Sequence, residues 1–434
     1  MRKIAVFGVG YVGLTTATCL AELGHRVTGY DVQETKVDGL RNGQMPFVEP
    51  ELGPLVSRHV STGQLTFTAN IGEALESAEM AFVCVGTPMG PTGAADLSQV
   101  EEALRQIGRT VTRTLVVVLK STIPPGGTAD RFADILSGEL RPPATAHLVV
   151  NPEFLREGSA VHDFFCPDRV VVGAWNRVAA EQVAALYAPL GCPVVLTDPA
   201  SAQLTKYAAN AFLATKISFI NDVARIAEAV GANVQAVAQG IGLDARIGGD
   251  FLEPGLGYGG SCFPKDVRAL AAVASHNGYD SPLLRAVMDI NAGQRRLAVE
   301  KLGEVLEGVD RKKVCVLGLA FKPDTDDVRE APALDIIARL CDQGATVQAY
   351  DPAAKATAEK VLPAHERLRY CSDAYEAAEA SDAIFIATNW PEFRDLDWQR
   401  IGSAMTAKTV VDGRGMLSAY QMNELGFSYF GFAV

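Results

Sequence analysis

Long apolar runs are missing from this 434-residue chain. Hydrophobic residues supply 48% of it, but charge interrupts every stretch before the ~18 residues that a bilayer crossing needs. Met1 to Gly10 lacks the charged-then-apolar order of a secretion signal, so a cytoplasmic protein with no membrane contact is expected. Blocks of Lys and Arg are missing too. With 39 basic against 51 acidic residues and a net charge of −12, the chain argues against nucleic acid, whose phosphates demand a basic face. An anionic ligand must then be met by a few local cations and backbone amides rather than by the global field. Paired cysteines are the third absence. Eight cysteines are spread with no CxxC pair and no Cys/His cluster, which argues against a disulfide framework and against a bound metal. At a typical ~150 residues per domain, the length predicts two or three domains.

What is present starts at the first strand. KIAVFGVGYVG is a buried-strand run followed at once by Gly8, Gly10 and Gly13, then by a helical stretch from Tyr11 to Leu23. A second strand, HRVTGYD, ends in Asp31. Strand, glycine turn, helix, strand and acid form the order of a dinucleotide-binding unit. The glycines let the turn close and bring a pyrophosphate to the helix N-terminus, and the acid can accept hydrogen bonds from a ribose diol. Asp31 without a nearby arginine favours NAD over NADP, although Lys36 lies close in sequence. MAFVCVGTP, TLVVVLKSTIPPGG and HLVVNPEFLREG are further apolar runs that break into polar or Pro/Gly residues at their C-terminal ends. Buried parallel strands deliver cleft loops in this way, which directs Thr87, Thr122 and Glu153 toward the cofactor region.

The C-terminal third repeats the order without the glycine fingerprint. KKVCVLGLAFK reads as strand and turn, APALDIIARLCDQG as a helix closed by Gly344, and TVQAYDP as a strand ending in Asp351. SDAIFIATNWP then parallels AEMAFVCVGTP, and KTVVDGRG parallels TLVVVLKST. The expected fold is α/β, with two Rossmann-like doubly wound domains joined by a long central helix. The second domain carries an extra loop, AFKPDTDDVRE, and suits a nucleotide-like ligand other than a second NAD, with Lys322, Arg329 and Arg414 as candidate cations.

The central helix is TDPASAQLTKYAANAFLATKISFINDVARIAEAVG. Thr197 or Asp198 can cap it, Pro199 suits its first turn and Gly231 can end it. Being apolar nearly all round, it is expected to lie between domains or subunits. Lys206 and Asn210 are exceptions on one face, and a lysine there is expensive to bury without a partner.

Cysteine position separates two kinds of thiol. Cys19, Cys84, Cys315 and Cys341 lie in apolar runs and read as small packing groups. Cys262 instead lies in GLGYGGSCFPKDV, where Gly257, Gly259, Gly260 and Pro264 can continue neither helix nor central strand. A loop thiol whose backbone approaches something closely is expected there.

Taken in order, GVGYVG, CVGTP, NPEFLREGSA, LTKYAANAFLATKISFIND, GYGGSCFPKD and LAFKPDTDDVREAPAL resemble the UDP-glucose/GDP-mannose dehydrogenases. The resemblance implies an NAD-dependent four-electron oxidation of a primary alcohol to a carboxylate, taking UDP-glucose to UDP-glucuronate. It implies Cys262 as the nucleophile, its thiolate favoured by the charge of Lys206. Thiohemiacetal and thioester stages then follow on the sulfur. Lys206 and Asn210 match oxyanion-stabilising positions, Asp266 matches an aspartate that holds or activates water, and Thr122 and Glu153 match residues that position water and assist proton transfer. Gly8, Gly10, Tyr11, Val12, Gly13, Asp31, Lys36, Thr87, Thr122, Glu157, Lys265 and Arg329 match NAD-contacting positions. Glu153, Phe154, Leu155, Lys206, Asn210, Phe251, Leu252, Tyr258, Gly259, Lys322 and Arg414 match substrate-contacting ones. Arg246 matches an arginine that reaches a neighbouring subunit's substrate, which implies a homodimer or higher homo-oligomer.

The corresponding domains are 1–197 for NAD, 198–300 for the central helical dimerisation region and 301–434 for the UDP-sugar. The chain departs from the family pattern at Glu253, where a basic or small residue is usual, and an acid beside a diphosphate leaves sugar or nucleotide selectivity open. GDP-mannose or another UDP-sugar is therefore an alternative substrate. A one-step β-hydroxyacid dehydrogenase shares the first domain and the Lys206/Asn210 spacing but needs no thiol and no second α/β set. A nucleotide-sugar or redox sensor would keep the fold without the chemistry.

Overall fold

The computed structural model describes residues 1–90 and 93–432. Two parallel-rich sheets organise it, each an α/β unit of the expected kind. The first contains β1 (Lys3–Phe7), β2 (Arg26–Tyr30), β3 (Leu65–Thr68), β4 (Met80–Val83), β5 (Leu115–Leu119), β6 (Ala146–Val150), β7 (Val170–Ala174) and β8 (Val194–Thr197). Its order is β3-β2-β1-β4-β5-β6-β7-β8, parallel throughout except where β7 runs against β6. The order reverses at β1, so the crevice at a topological switch point lies beside the glycine turn that follows β1.

The second sheet contains β9 (Lys313–Leu317), β10 (Thr346–Tyr350), β11 (Leu368–Tyr370), β12 (Ala383–Ile386), β13 (Thr409–Asp412) and β14 (Ser428–Gly431), in the order β11-β10-β9-β12-β13-β14 and parallel throughout. Its switch point is β9. In both sheets the central strands are apolar on both faces, since helices cover each side: residues Val116 to Leu119 and Val314 to Leu317 are almost wholly buried.

By contact the chain forms two compact units, Met1–Ala209 with Ala272–Tyr279, and Asn210–Ala271 with Asp280–Val434. The long helix Pro199–Val230 therefore begins in one unit and ends in the other. Its cap is Asp198, whose carboxylate accepts the Ser201 amide at 2.8 Å and the Ser201 hydroxyl at 2.6 Å. Gly231, at φ +72°, ends it as only a residue at ease in the left-handed region can. The apolar character of this helix is only half buried: Phe212 is 65% exposed, Phe219 51% and Ile226 57%. Seven-residue spacing puts the three on one face.

No helix among the described residues is long and apolar enough to cross a membrane. All eight cysteines carry unbridged thiols. Burial raises the pKa of Cys19, Cys315 and Cys341 and takes Cys84 up to about 12, as expected of thiols that serve as packing.

Candidate active site

Within the first unit, the turn after β1 is built by two glycines for different reasons. Gly8 has φ +86°, a conformation that side chains resist. At Gly13 an added Cβ would lie 1.8 Å from the Gly8 carbonyl oxygen, so the helix that follows can approach the strand only because that position is bare. This helix, Tyr11–Glu22, begins at Gly10 without a side-chain cap, which leaves its first amides to an anion. Val12 is half-buried against the sheet core.

Asp31, one residue past β2, is 7% exposed; its Oδ2 accepts from the Val9 amide and from Lys36 Nζ, both at 3.0 Å, and its Oδ1 from the Gln33 amide at 3.0 Å. Lone pairs remain on Oδ1 for a ribose diol. Turn, bare helix end and acid fit a dinucleotide. Thr87 and Thr122 follow the ends of β4 and β5, the first buried and the second half-buried.

The loop after β6 carries the other nominated residues of this unit. Glu153, 6% exposed, pairs through Oε1 with Lys206 Nζ at 3.0 Å, and its Oε2 accepts the Leu155 amide at 2.6 Å. The lysine in the apolar helix thus has a carboxylate partner, which is what its burial requires. The Phe154 ring takes the Arg169 guanidinium 3.6 Å from its centroid and Lys206 Nζ at 5.3 Å. Glu157 is half-buried.

Two polar groups in this unit escaped the sequence reading. Glu49 collects the Tyr11 hydroxyl and the Gly158 and Ala160 amides, the latter two at 2.7 Å each, and so ties the loop of Glu153 to the first helix. Burial raises the Tyr11 pKa, with Glu49 adding to the effect, so the phenol is the donor. Lys120, at the end of β5, reaches Asn151 Oδ1 at 3.1 Å and the Tyr187 hydroxyl at 3.3 Å; burial lowers its pKa to about 8. Neither gives a local signal, because each gains its partners from segments far away in sequence.

Within the second unit, Cys262 is half-buried just before the helix Phe263–His276, with its Sγ 3.5 Å from Ser261 Oγ. Asp266 is 1% exposed; it accepts Asn210 Nδ2 at 2.6 Å and Lys265 Nζ at 2.5 Å, and its amide donates to the Cys262 carbonyl at 2.8 Å. The carboxylate is ionically compensated and one turn from the thiol. Tyr258 exchanges backbone hydrogen bonds with the Asn291 side chain at 2.7 and 3.1 Å, and Gly257, at φ +85°, leaves that amide room. Leu252 is in the core and Phe251 packs on Phe263 with ring centroids 6.0 Å apart.

A cavity of about 380 Å³ opens in this unit, lined by Phe251, Glu253, Gly255, Asn389, Arg394 and Arg414 among others. Arg414 Nε donates to the Ala387 carbonyl at 2.7 Å, while its Nη2 is buried without a hydrogen-bond partner among the described residues. Burial lowers the pKa of this guanidinium to about 10, so it remains a cation at neutral pH and is suited to a phosphate. Asn389 and Arg394 were not anticipated. Asn389 lies three residues past β12, in the loop that corresponds to the one carrying Thr87 after β4. Lys322 sits over the Phe321 ring at 5.5 Å; Arg329 and Arg246 are exposed and paired with Asp327 and Asp244 at 2.7 and 2.6 Å. No cluster of His, Cys, Asp and Glu that could hold a metal occurs among the described residues.

Comparison with known proteins covers the whole chain. Models of the UDP-glucose/GDP-mannose dehydrogenase family match in three parts: the NAD binding domain at residues 2–191, the central domain at 200–293 and the UDP binding domain at 315–419. The chain is 46% identical to UDP-glucose 6-dehydrogenase TuaD of Bacillus subtilis over 99% of its length and 92% of that protein's. To a UDP-glucose 6-dehydrogenase of Pseudomonas aeruginosa it is 44% identical, over 99% of this chain and 97% of the other. The solved UDP-glucose dehydrogenase of Pyrobaculum islandicum superposes with a TM-score of 0.93 at 40% identity, covering 100% of this chain and 98% of that one.

Proposed function

The chain belongs to the UDP-glucose/GDP-mannose dehydrogenase family, NAD-dependent oxidoreductases, and on that premise we propose that it oxidises the C6 alcohol of UDP-glucose to the carboxylate with Cys262 as nucleophile. The observation that carries this reading is the thiol itself: half-buried on a glycine-built loop, one turn from a buried carboxylate, while Cys19, Cys84, Cys315 and Cys341 are buried packing groups. The similarity to proteins named UDP-glucose 6-dehydrogenase supports the substrate.

Gly8, Gly10, Gly13 and Asp31 would hold NAD, which when bound accepts hydride from a substrate carbon. The chain's own groups handle the rest. Cys262 Sγ adds to the C6 aldehyde carbon to give a thiohemiacetal. Loss of a second hydride from the same carbon leaves the thioester, and attack of water there breaks the C–S bond, giving the carboxylate and returning the thiol. Asn210 and Lys206 stabilise oxyanions, Asp266 holds the water, and Glu153 and Thr122 position water and assist proton transfer. Arg414 and Lys322 bind the diphosphate.

Counting products tests the reading. Wild-type protein forms two NADH per UDP-glucose, and Cys262→Ala forms no UDP-glucuronate. Wild-type protein that stops at one NADH, or a Cys262→Ala variant that completes the oxidation, overturns the thiol route.

One observation favours a different sugar or nucleotide: Glu253 lines the same cavity as Arg394 and Arg414. Initial rates with UDP-glucose, UDP-N-acetyl sugars and GDP-mannose decide between them.

We also propose the functional division 1–197, 198–300 and 301–434, supported by the family matches, with the last two residues outside the described ones. The apolar face of Phe212, Phe219 and Ile226 supports a homodimer built on the long helix, read by sedimentation. Unbridged thiols suit a reducing compartment, and the cytoplasm is the proposed location.

A further inference from the structure

The segment that bears Cys262 is held on one side by the adjacent residues Arg329 and Glu330 and on the other by Glu330. On its N-terminal side, the Gly260 amide donates to the Arg329 carbonyl at 2.8 Å. A Cβ at Gly259 would lie 2.4 Å from the Glu330 carbonyl oxygen, and one at Gly260 would lie 2.8 Å from the Phe321 ring. The loop between β9 and the helix Pro332–Asp342 therefore presses directly on the glycine turn. On the C-terminal side, Arg268 projects from the helix Phe263–His276 and places Nη1 3.0 Å from Glu330 Oε1. Arg295, on the helix Pro282–Val305, closes the arrangement: its Nη2 donates to the Glu330 carbonyl at 3.0 Å and lies 3.6 Å from Oε2.

Glu330 holds this place at φ +52°, a left-handed conformation that glycine adopts freely and a glutamate does not. Such strain persists where surrounding contacts over-determine it, and it clusters at functional sites. If the turn alone mattered, glycine would serve better. The side chain is what the position retains, and it carries two ion pairs.

We propose that Glu330 is a positioning residue for the Cys262 thiol: its backbone conformation sets the preceding peptide, whose Arg329 carbonyl accepts the Gly260 amide, and its carboxylate holds Arg268, so that Sγ is held for attack. This rests on Cys262 being the nucleophile. Addition to a carbonyl is sensitive to placement, since the reacting atoms must already lie near contact distance before the bond forms. Burial pushes the Glu330 pKa up, but Arg268 and Arg295 outweigh it and hold the carboxylate below its ordinary range, so the clamp stays charged at neutral pH.

Glu330→Gly is the informative variant, because it relieves the backbone strain while removing the carboxylate; Glu330→Gln retains the shape without the charge. At saturating NAD and nucleotide sugar, kcat of Glu330→Gly falls roughly 10- to 100-fold, with Glu330→Gln between it and wild type. Hydrogen–deuterium exchange of the 255–263 segment accelerates while that of β9 keeps its rate. Wild-type kcat and exchange in Glu330→Gly overturn the proposal. So does a loss of kcat without faster exchange at 255–263, or acceleration of both segments together, which would mean that Glu330 supports the unit as a whole. Cys262→Ala is the control. If it still completes the oxidation, the nucleophile reading fails and the proposal fails with it, whereas an inert Cys262→Ala beside a normal Glu330→Gly sinks only the positioning role.

Discussion

Asp31 and Asp351 occupy the same place in their sheets, one residue past β2 and one past β10. Asp31 accepts from two backbone amides and Lys36, and one of its oxygens has a single donor. Asp351 accepts from five: the Leu319, Ala320, Ala353 and Ala354 amides and the Trp390 indole, at 2.7 to 3.0 Å. The first acid keeps capacity for a ligand; the second is consumed by its own loops. The same strand, turn and acid order can thus serve either binding or folding, and the amides of the turn decide which. After β1 the acid takes one amide, that of Val9, and the helix that follows starts without a side-chain cap, whereas after β9 the acid takes both the Leu319 and the Ala320 amides. A sheet of the second kind has to recognise a ligand by other means, and in the proposed function these are Arg414, two residues past β13, and the loop carrying Lys322.

Three variants break or sharpen this contrast. Asp351→Ala leaves five donors unsatisfied and is expected to destabilise the protein by about 3–5 kcal/mol, read by urea unfolding, without changing NAD affinity. Lys120→Met tests the buried cation of the first sheet. Its folded pKa of about 8 lies below the ordinary 10.5, so the unfolded chain binds more protons between those values and wild-type stability rises with pH across that window. The variant loses that rise, and the difference between the two curves amounts to as much as ~3 kcal/mol. A wild-type curve that is flat from pH 8 to 10.5 when referenced to the variant contradicts the lowered pKa. Asp31→Asn is the mildest: NAD binding weakens by about tenfold with little change in stability, measured by calorimetric titration. Equal stability losses for Asp31→Asn and Asp351→Asn would erase the distinction.

Much of the fold was legible because period and punctuation are local. The runs KIAVF, KVCVL and TVQAY became β1, β9 and β10, Gly344 closed the helix before β10, and Asp198 took the cap for which Thr197 was the other candidate. The reversal of β7 was not legible, since an apolar strand carries no mark of its direction. At the candidate site, strand ends nominated Glu153, helix spacing nominated Lys206 with Asn210, and the family resemblance added Asp266. Their pairing as Glu153 with Lys206 and Asn210 with Asp266 depends on chain geometry across 53 and 56 residues. Glu49, Lys120 and Glu330 left no trace in the sequence because their partners come from other segments, and Glu330 looks there like one more solvated acid. The saturation of Asp351 was equally invisible: five donors from three loops have no period.

The carboxylate of Glu49 receives a phenol from residue 11 and amides from residues 158 and 160, more than a hundred positions apart in the chain. Because residues 158 and 160 donate through backbone amides that almost any residue supplies, the side-chain dependence falls on positions 11 and 49, which constitute one unit of inheritance. Among relatives these two are expected to vary jointly or not at all, which makes statistical covariance between them a record of a contact that no single position displays.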